Sequence, residues 1–108
     1  MKIYKIADGR GEIRNNILSS IFDNMQGRRY SPMGLIVSDS VEKMVEDIQG
    51  TAYVSVSYSE FEDEIVIEKY YESEYMNDEY GRVYKVKMNY DNPQETINKV
   101  NKLIGELS

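Results

Sequence analysis

Six glutamates between residues 60 and 75 all fall on even-numbered positions: Glu60, Glu62, Glu64, Glu68, Glu72 and Glu74. The odd positions hold Phe61, Ile65, Ile67, Tyr71 and Tyr75, with Asp63, Lys69 and Ser73 interrupting the apolar series. Carboxylates at this density could ligate a hard cation, trade protons, or stand in for phosphates. The choice depends on what other groups the chain supplies and on how the acids are held. On an extended strand successive side chains point to opposite faces, so this alternation separates an acidic face from an apolar one.

Few groups are available to turn these acids into a catalytic site. The 108 residues contain no histidine and no cysteine. The commonest neutral-pH base, Ser/His/Asp and Cys/His triads, and disulfides are therefore excluded within the chain. Oxygen ligands would suit Ca²⁺ or Mg²⁺, but Asn77, Asp78, Glu79 and Gly81 have the wrong offsets for an EF-hand loop, and a plain turn explains them. Paired acids suffice for glycoside hydrolysis, yet nothing singles out a pair. Asp8-Gly9-Arg10-Gly11 lacks the Gly and Lys-Ser/Thr spacing of phosphate-binding loops and reads as a turn. Arg28-Arg29-Tyr30 is a short basic patch in a loop. No catalytic residue, metal site or cofactor is assigned, and the expectation is a non-enzyme.

The charge is unevenly distributed. Of the net −6, residues 1–56 contribute nothing, with seven basic and seven acidic side chains. Residues 57–81 carry nine acids against Lys69 alone, and residues 82–108 carry five basic and three acidic groups. Such a field disfavours direct binding to nucleic acid or an anionic membrane and favours a basic protein partner. Six of the ten tyrosines (Tyr58, Tyr70, Tyr71, Tyr75, Tyr80 and Tyr84) lie in or beside the acidic stretch. No apolar run approaches the ~20 residues that span a bilayer, and the first residues lack the apolar core of a signal peptide, so a cytoplasmic protein is expected.

The length fits a single domain over residues 1–108. Met1–Ile6 reads as a short strand. Ile13, Ile17, Leu18, Ile21, Phe22 and Met25 make one face of a helix closed by Gly27, followed by a loop through Pro32. Met33–Val37 reads as a strand. Asp39 and Glu42 resemble a capping box, and Val41, Met44, Val45 and Ile48 predict a helix ended by Gly50. Thr51–Tyr58, Glu64–Tyr71 and Arg82–Tyr90 read as three strands of an antiparallel meander, joined by turns at Ser59–Asp63 and Met76–Gly81. Asn92, Pro93 and Glu95 announce a last helix, with Ile97, Val100, Leu103, Ile104 and Leu107 as its buried stripe. The predicted class is α+β, in the order β-α-β-α-β-β-β-α, with helices on one face of a mainly antiparallel sheet.

Those elements bear on the acids. An unbroken strand from Glu60 to Tyr75 would far exceed the usual length of about five or six residues. With a turn at 59–63, only Glu64, Glu68, Glu72 and Glu74 can share a face, and Glu60 and Glu62 gather at a hairpin tip. Two readings stay open: a solvated sheet face, or a surface imitating nucleic-acid backbone. For the second, carboxylates two residues apart repeat every ~6.5–7 Å, close enough to a phosphate spacing for one set of Lys and Arg side chains to engage either.

In size, charge and composition the whole chain resembles small acidic inhibitors encoded by phages and mobile elements, of the anti-CRISPR or anti-restriction kind. That resemblance implies a DNA mimic that occupies the basic channel of a nuclease or other nucleic-acid-binding protein. The residues expected to contact the partner are Glu64, Glu68, Glu72, Glu74, Asp78 and Glu79 in place of phosphates, with Tyr70, Tyr71, Tyr75 and Tyr80 as anchors. The alternatives are an immunity or antitoxin-type protein that neutralises a basic toxin, and a structural subunit that forms a homodimer.

Overall fold

The computed structural model describes residues 10–30, 40–71 and 82–108. Helix α1 (Gly11–Met25) is followed by strands β1 (Arg28–Tyr30), β2 (Ser40–Asp47), β3 (Gly50–Ser59), β4 (Glu64–Tyr71) and β5 (Arg82–Lys87), and then by helix α2 (Pro93–Leu107). The strands form one antiparallel sheet in sequence order, β1-β2-β3-β4-β5. The α+β class is therefore as expected, with two helices among the described residues where the sequence suggested three. The strands expected at Met1–Ile6 and Met33–Val37 and the turn at Met76–Gly81 lie outside the described residues.

Both helices cover one face of the sheet. Ile17, Leu18, Ile21 and Phe22 of α1 and Val100, Ile104 and Leu107 of α2 share a buried core with Val41, Val54, Val56, Ile65, Ile67 and Val86. The strand members belong together by register: Val41 faces Val56, Val56 faces Ile67, and Ile65 faces Val86. Directly opposed residues of an antiparallel pair project to the same side, so these rows define the helix-covered face.

The segment expected as a helix from Val41 to Ile48 is strand through Asp47, with Ile48 in the turn that follows. Val41 and Val45 are four apart, a spacing that satisfies a strand period of two as well as a helical one. The helical reading also required Met44 and Ile48 to be buried, but they are 62% and 100% exposed. A tight turn decides the matter. The Asp47 carboxylate accepts a hydrogen bond from the Gln49 backbone N–H at 2.8 Å, and Gly50 follows with φ +122°, a conformation that only glycine adopts without strain. That turn folds Ser40–Asp47 back onto β3 through eight consecutive pairs.

Three smaller departures have local causes. The left-handed residue that ends α1 is Gln26 (φ 55°), and Gly27 is needed for a different reason. A Cβ on Gly27 would lie 2.5 Å from the backbone oxygen of Glu42, so the absence of a side chain lets this segment lie against β2. Gly27→Ala should cost about 1–3 kcal/mol by overpacking, read as a lower midpoint in urea unfolding with unchanged slope. Residues 28–30 pair with β2 as a short strand where a loop was expected. At the other end β5 stops at Lys87, because the Asn89 side chain starts α2 from outside the helix. Asn89 Oδ1 accepts from the backbone N–H groups of Asp91 and Asn92, Asn89 Nδ2 donates to Glu95, and Thr96 Oγ1 accepts from the Asn89 N–H. Asn92 precedes the helix but makes no side-chain cap.

Candidate partner-binding surface

Register assigns the other face of the sheet, opposite the helices and helix-free among the described residues. Glu42 opposes Ser55, Ser55 opposes Glu68, and Glu68 opposes Val83. The next rows are Met44–Tyr53–Tyr70, Ser40–Ser57–Val66–Lys85, Ser59–Glu64–Lys87 and Glu46–Thr51. Acids therefore enter this face from β2 and β4, with a strip of small hydroxyl side chains on β3 between them. Lysines enter it from β5.

The sequence-predicted residues divide between the two faces. Glu64, Glu68 and Tyr70 share the helix-free face, as the alternation requires. Tyr71 lies on the opposite face at the sheet margin, where its hydroxyl donates to Asp47 Oδ2 at 2.7 Å. That bond holds the Asp47 carboxyl down at about 2, assisted by the Gln49 N–H and by Lys69 Nζ at 3.0 Å. Tyr71 is raised by the same bond. Glu72, Glu74, Asp78, Glu79, Tyr75 and Tyr80 lie outside the described residues.

The residues on the helix-free face differ in what they can offer a partner. Glu64 is only 5% exposed and lies 3.7 Å from Lys85 Nζ, so its charge is locally compensated. It also hydrogen-bonds the Glu62 carboxyl, which raises Glu64 and lowers Glu62. Tyr70 is buried, stacks 5.5 Å from Tyr53 at a 30° tilt, and donates its hydroxyl to Glu42 Oε2. Its role in the free protein is to fix the Glu42 carboxylate. Glu68 is half-buried, and no hydrogen bond or ion pair engages it among the described residues. Glu46 is exposed and accepts from Thr51 Oγ1 at 3.3 Å.

Glu42, Glu46 and Met44 were missed from sequence because the segment from Val41 to Ile48 read as a helix; Tyr53 lay on an expected strand but joins this face only through its pairing with Met44 and Tyr70. The signal was nonetheless present. Val41, Lys43 and Val45 alternate with Glu42, Met44 and Glu46, which is the same period-two segregation seen in β4.

A second polar constellation ties the β3–β4 turn to the helices. Arg14, on the buried side of α1, is 1% exposed, and its Nε donates to Asp63 Oδ1 at 3.3 Å and to the Tyr90 hydroxyl at 2.8 Å. Tyr58 and Tyr90 both donate their hydroxyls to the Asp63 carboxylate. Asp63 has φ +54°, an uncommon left-handed geometry for a residue other than glycine. Tyr90 also lies beneath the Arg10 guanidinium, 4.6 Å from the ring centre. Burial, reinforced by the bond to Asp63, pushes the Tyr90 hydroxyl up to about 12 and raises Tyr58 as well.

A raised tyrosine favours the protonated form in the folded state. Its contribution to stability is therefore complete below the ordinary value of 10.0 and lost as pH climbs toward about 12. Alkaline titration by tyrosinate absorbance should show a late step, after the exposed tyrosines, accompanied by unfolding. Tyr90→Phe should shrink that step; an undiminished step would show that Tyr90 is not among the late-ionising groups.

No protein-family model matches the chain, and comparisons with curated proteins and with solved structures found no match. Among the described residues no group of three or more Asp or Glu side chains is gathered as a metal site, and no helix is long and apolar enough to cross a membrane.

Proposed function

We propose that this protein is a small acidic, non-enzymatic inhibitor that lays the helix-free face of its sheet into the basic nucleic-acid channel of a partner protein. The observation that carries the reading is the placement of Glu42 and Glu68 in one cross-strand row, separated only by Ser55. Two strand spacings put these carboxylates roughly 10 Å apart. Glu46, four residues along β2 from Glu42, adds a third about 13 Å away along the strand. These separations are of the order of the ~6 Å and ~12 Å groove widths that divide the phosphate rows of B-DNA. Serines between the acids leave room for long Lys and Arg side chains, while Tyr53 and Met44 supply adaptable apolar contact at the margin. The chain continues from β4 with Glu72, Glu74, Asp78 and Glu79, so the same charge sign extends beyond the strand.

The test is capture from candidate host lysate after nuclease treatment, using the parent and Glu46→Lys/Glu68→Lys side by side. The parent should retain a nucleic-acid-binding protein that the variant loses. Equal recovery by both would remove this face from consideration.

A further inference from the structure

The β3–β4 turn ends in an apolar side chain with no place in its own fold. Phe61 is fully exposed, flanked by Glu60 and Glu62. A single exposed apolar residue is ordinary on a protein surface. The setting here is not, because the turn that carries Phe61 is held at its base. Asp63 is fixed by Arg14, Tyr58 and Tyr90, and its carbonyl accepts a hydrogen bond from the Met88 N–H at 3.3 Å. An anchor fixed in this way loses little conformational freedom when it is buried in a complex.

A cavity of about 420 Å³ lies at the same end of the molecule, between the end of β5 and the start of α2. Met88 and the Tyr90 ring, the residues bonded to Asp63, form part of its wall. Its rim carries Arg10, Lys87 and Lys99 against Asp91 and Glu95, an excess of one positive charge; Lys99 meets Glu95 at 3.2 Å, an exposed pair weak enough to be exchanged on contact. A volume in this range accommodates a ring side chain. The cavity offers Phe61 contact with Met88 and Tyr90 within a largely polar lining, and offers Lys87 and Lys99 to Glu60 and Glu62, the latter exchanging an exposed contact with Lys85 at 3.5 Å.

Knob and socket belong to one contiguous patch, which is the condition for a closed two-fold contact in which each copy gives and receives the same residues. We propose that the protein forms a symmetric dimer in which Phe61 of each copy enters the Met88–Tyr90 cavity of the other, with Glu60 and Glu62 against Lys87 and Lys99. The pairing is compatible with the net charge of −6, because the opposed groups at the contact are of opposite sign. It does not depend on the helix-free face binding a partner, and it is tested with the purified protein alone.

Sedimentation equilibrium over a range of concentrations should show reversible dimerisation. Phe61→Ala should raise the dimer dissociation constant by about tenfold or more while leaving the circular dichroism spectrum unchanged. Glu60→Lys/Glu62→Lys and Lys87→Glu/Lys99→Glu should each be monomeric. Mixed together, these two variants should form a heterodimer, since each positive tip then meets a negative socket and each negative tip a positive one. A monomer at every concentration, a dimer indifferent to Phe61→Ala, or two charge variants that stay apart on mixing would each overturn the proposal.

Discussion

Arg14→Met should lower the free energy of unfolding by about 3 kcal/mol, to be read by urea titration at neutral pH. The guanidinium is 1% exposed and faces an Asp63 side chain that is 35% exposed. Removing one partner of a buried pair typically costs 3–5 kcal/mol, and the partial exposure of Asp63 places this case at the lower end. Against a total stability of roughly 5–15 kcal/mol for a domain, the loss is large enough to move the midpoint well outside error. Methionine keeps most of the volume, so the cost is not that of a cavity. Asp63→Asn retains a residue that tolerates the left-handed backbone while removing the charge. In a double-mutant cycle the two changes should couple by more than 1 kcal/mol. A cost below about 1 kcal/mol for Arg14→Met would mean that solvent replaces the network with little penalty, and that the turn is held by packing alone.

Glu46→Lys/Glu68→Lys should weaken partner binding by about a hundredfold, equivalent to about 2.7 kcal/mol. Each reversal removes an attraction and sets like charges against each other across the interface, where such juxtapositions cost several kcal/mol. Isothermal titration against the captured partner reads the loss directly. Glu46 is exposed and Glu68 only half-buried, so the unfolding free energy should change little. Neutral Gln at both positions should give an intermediate loss, with a shallower dependence on salt than the parent. A variant that bound as tightly as the parent would leave the face as ordinary wet sheet.

Much of the architecture was legible because local and global preferences agree. In α1 the residues Ile17, Leu18, Ile21, Phe22 and Met25 of the expected apolar face are buried and Ile13 is partly so, and β4 spans residues 64–71 as its pattern predicted. Along β3, Ala52, Val54, Val56 and Tyr58 are buried, whereas Tyr53, Ser55 and Ser57 are only partly so. The failure at 41–48 is equally physical. A spacing of four residues belongs to both periodicities, and an Asp-x-x-Glu pattern can begin a helix or stand ahead of a strand. What separates the two is a turn whose value appears only when β3 is there to pair with β2.

The acidic face was partly legible for the same reason. Alternation placed Glu64, Glu68 and Tyr70 on one side, but alternation cannot report that Lys85 compensates Glu64 or that Tyr70 is buried beside Tyr53. Those depend on the register of β5 and β3. The network around Asp63 joins residues 49 and 76 positions apart in sequence, beyond any local pattern. One cue did exist. Arg14 shares the buried stripe of α1 with Leu18 and Ile21, and a cation on an apolar helix face requires an acid nearby.

The measurement that bears most directly on the central claim is competition between this protein and duplex DNA for the captured partner, followed by fluorescence anisotropy of a labelled duplex at low and physiological salt. An acidic sheet lying in the nucleic-acid channel predicts full displacement of the duplex, with an affinity that falls steeply as salt rises. A ternary complex, in which partner, duplex and this protein coexist with the anisotropy undiminished, would contradict it.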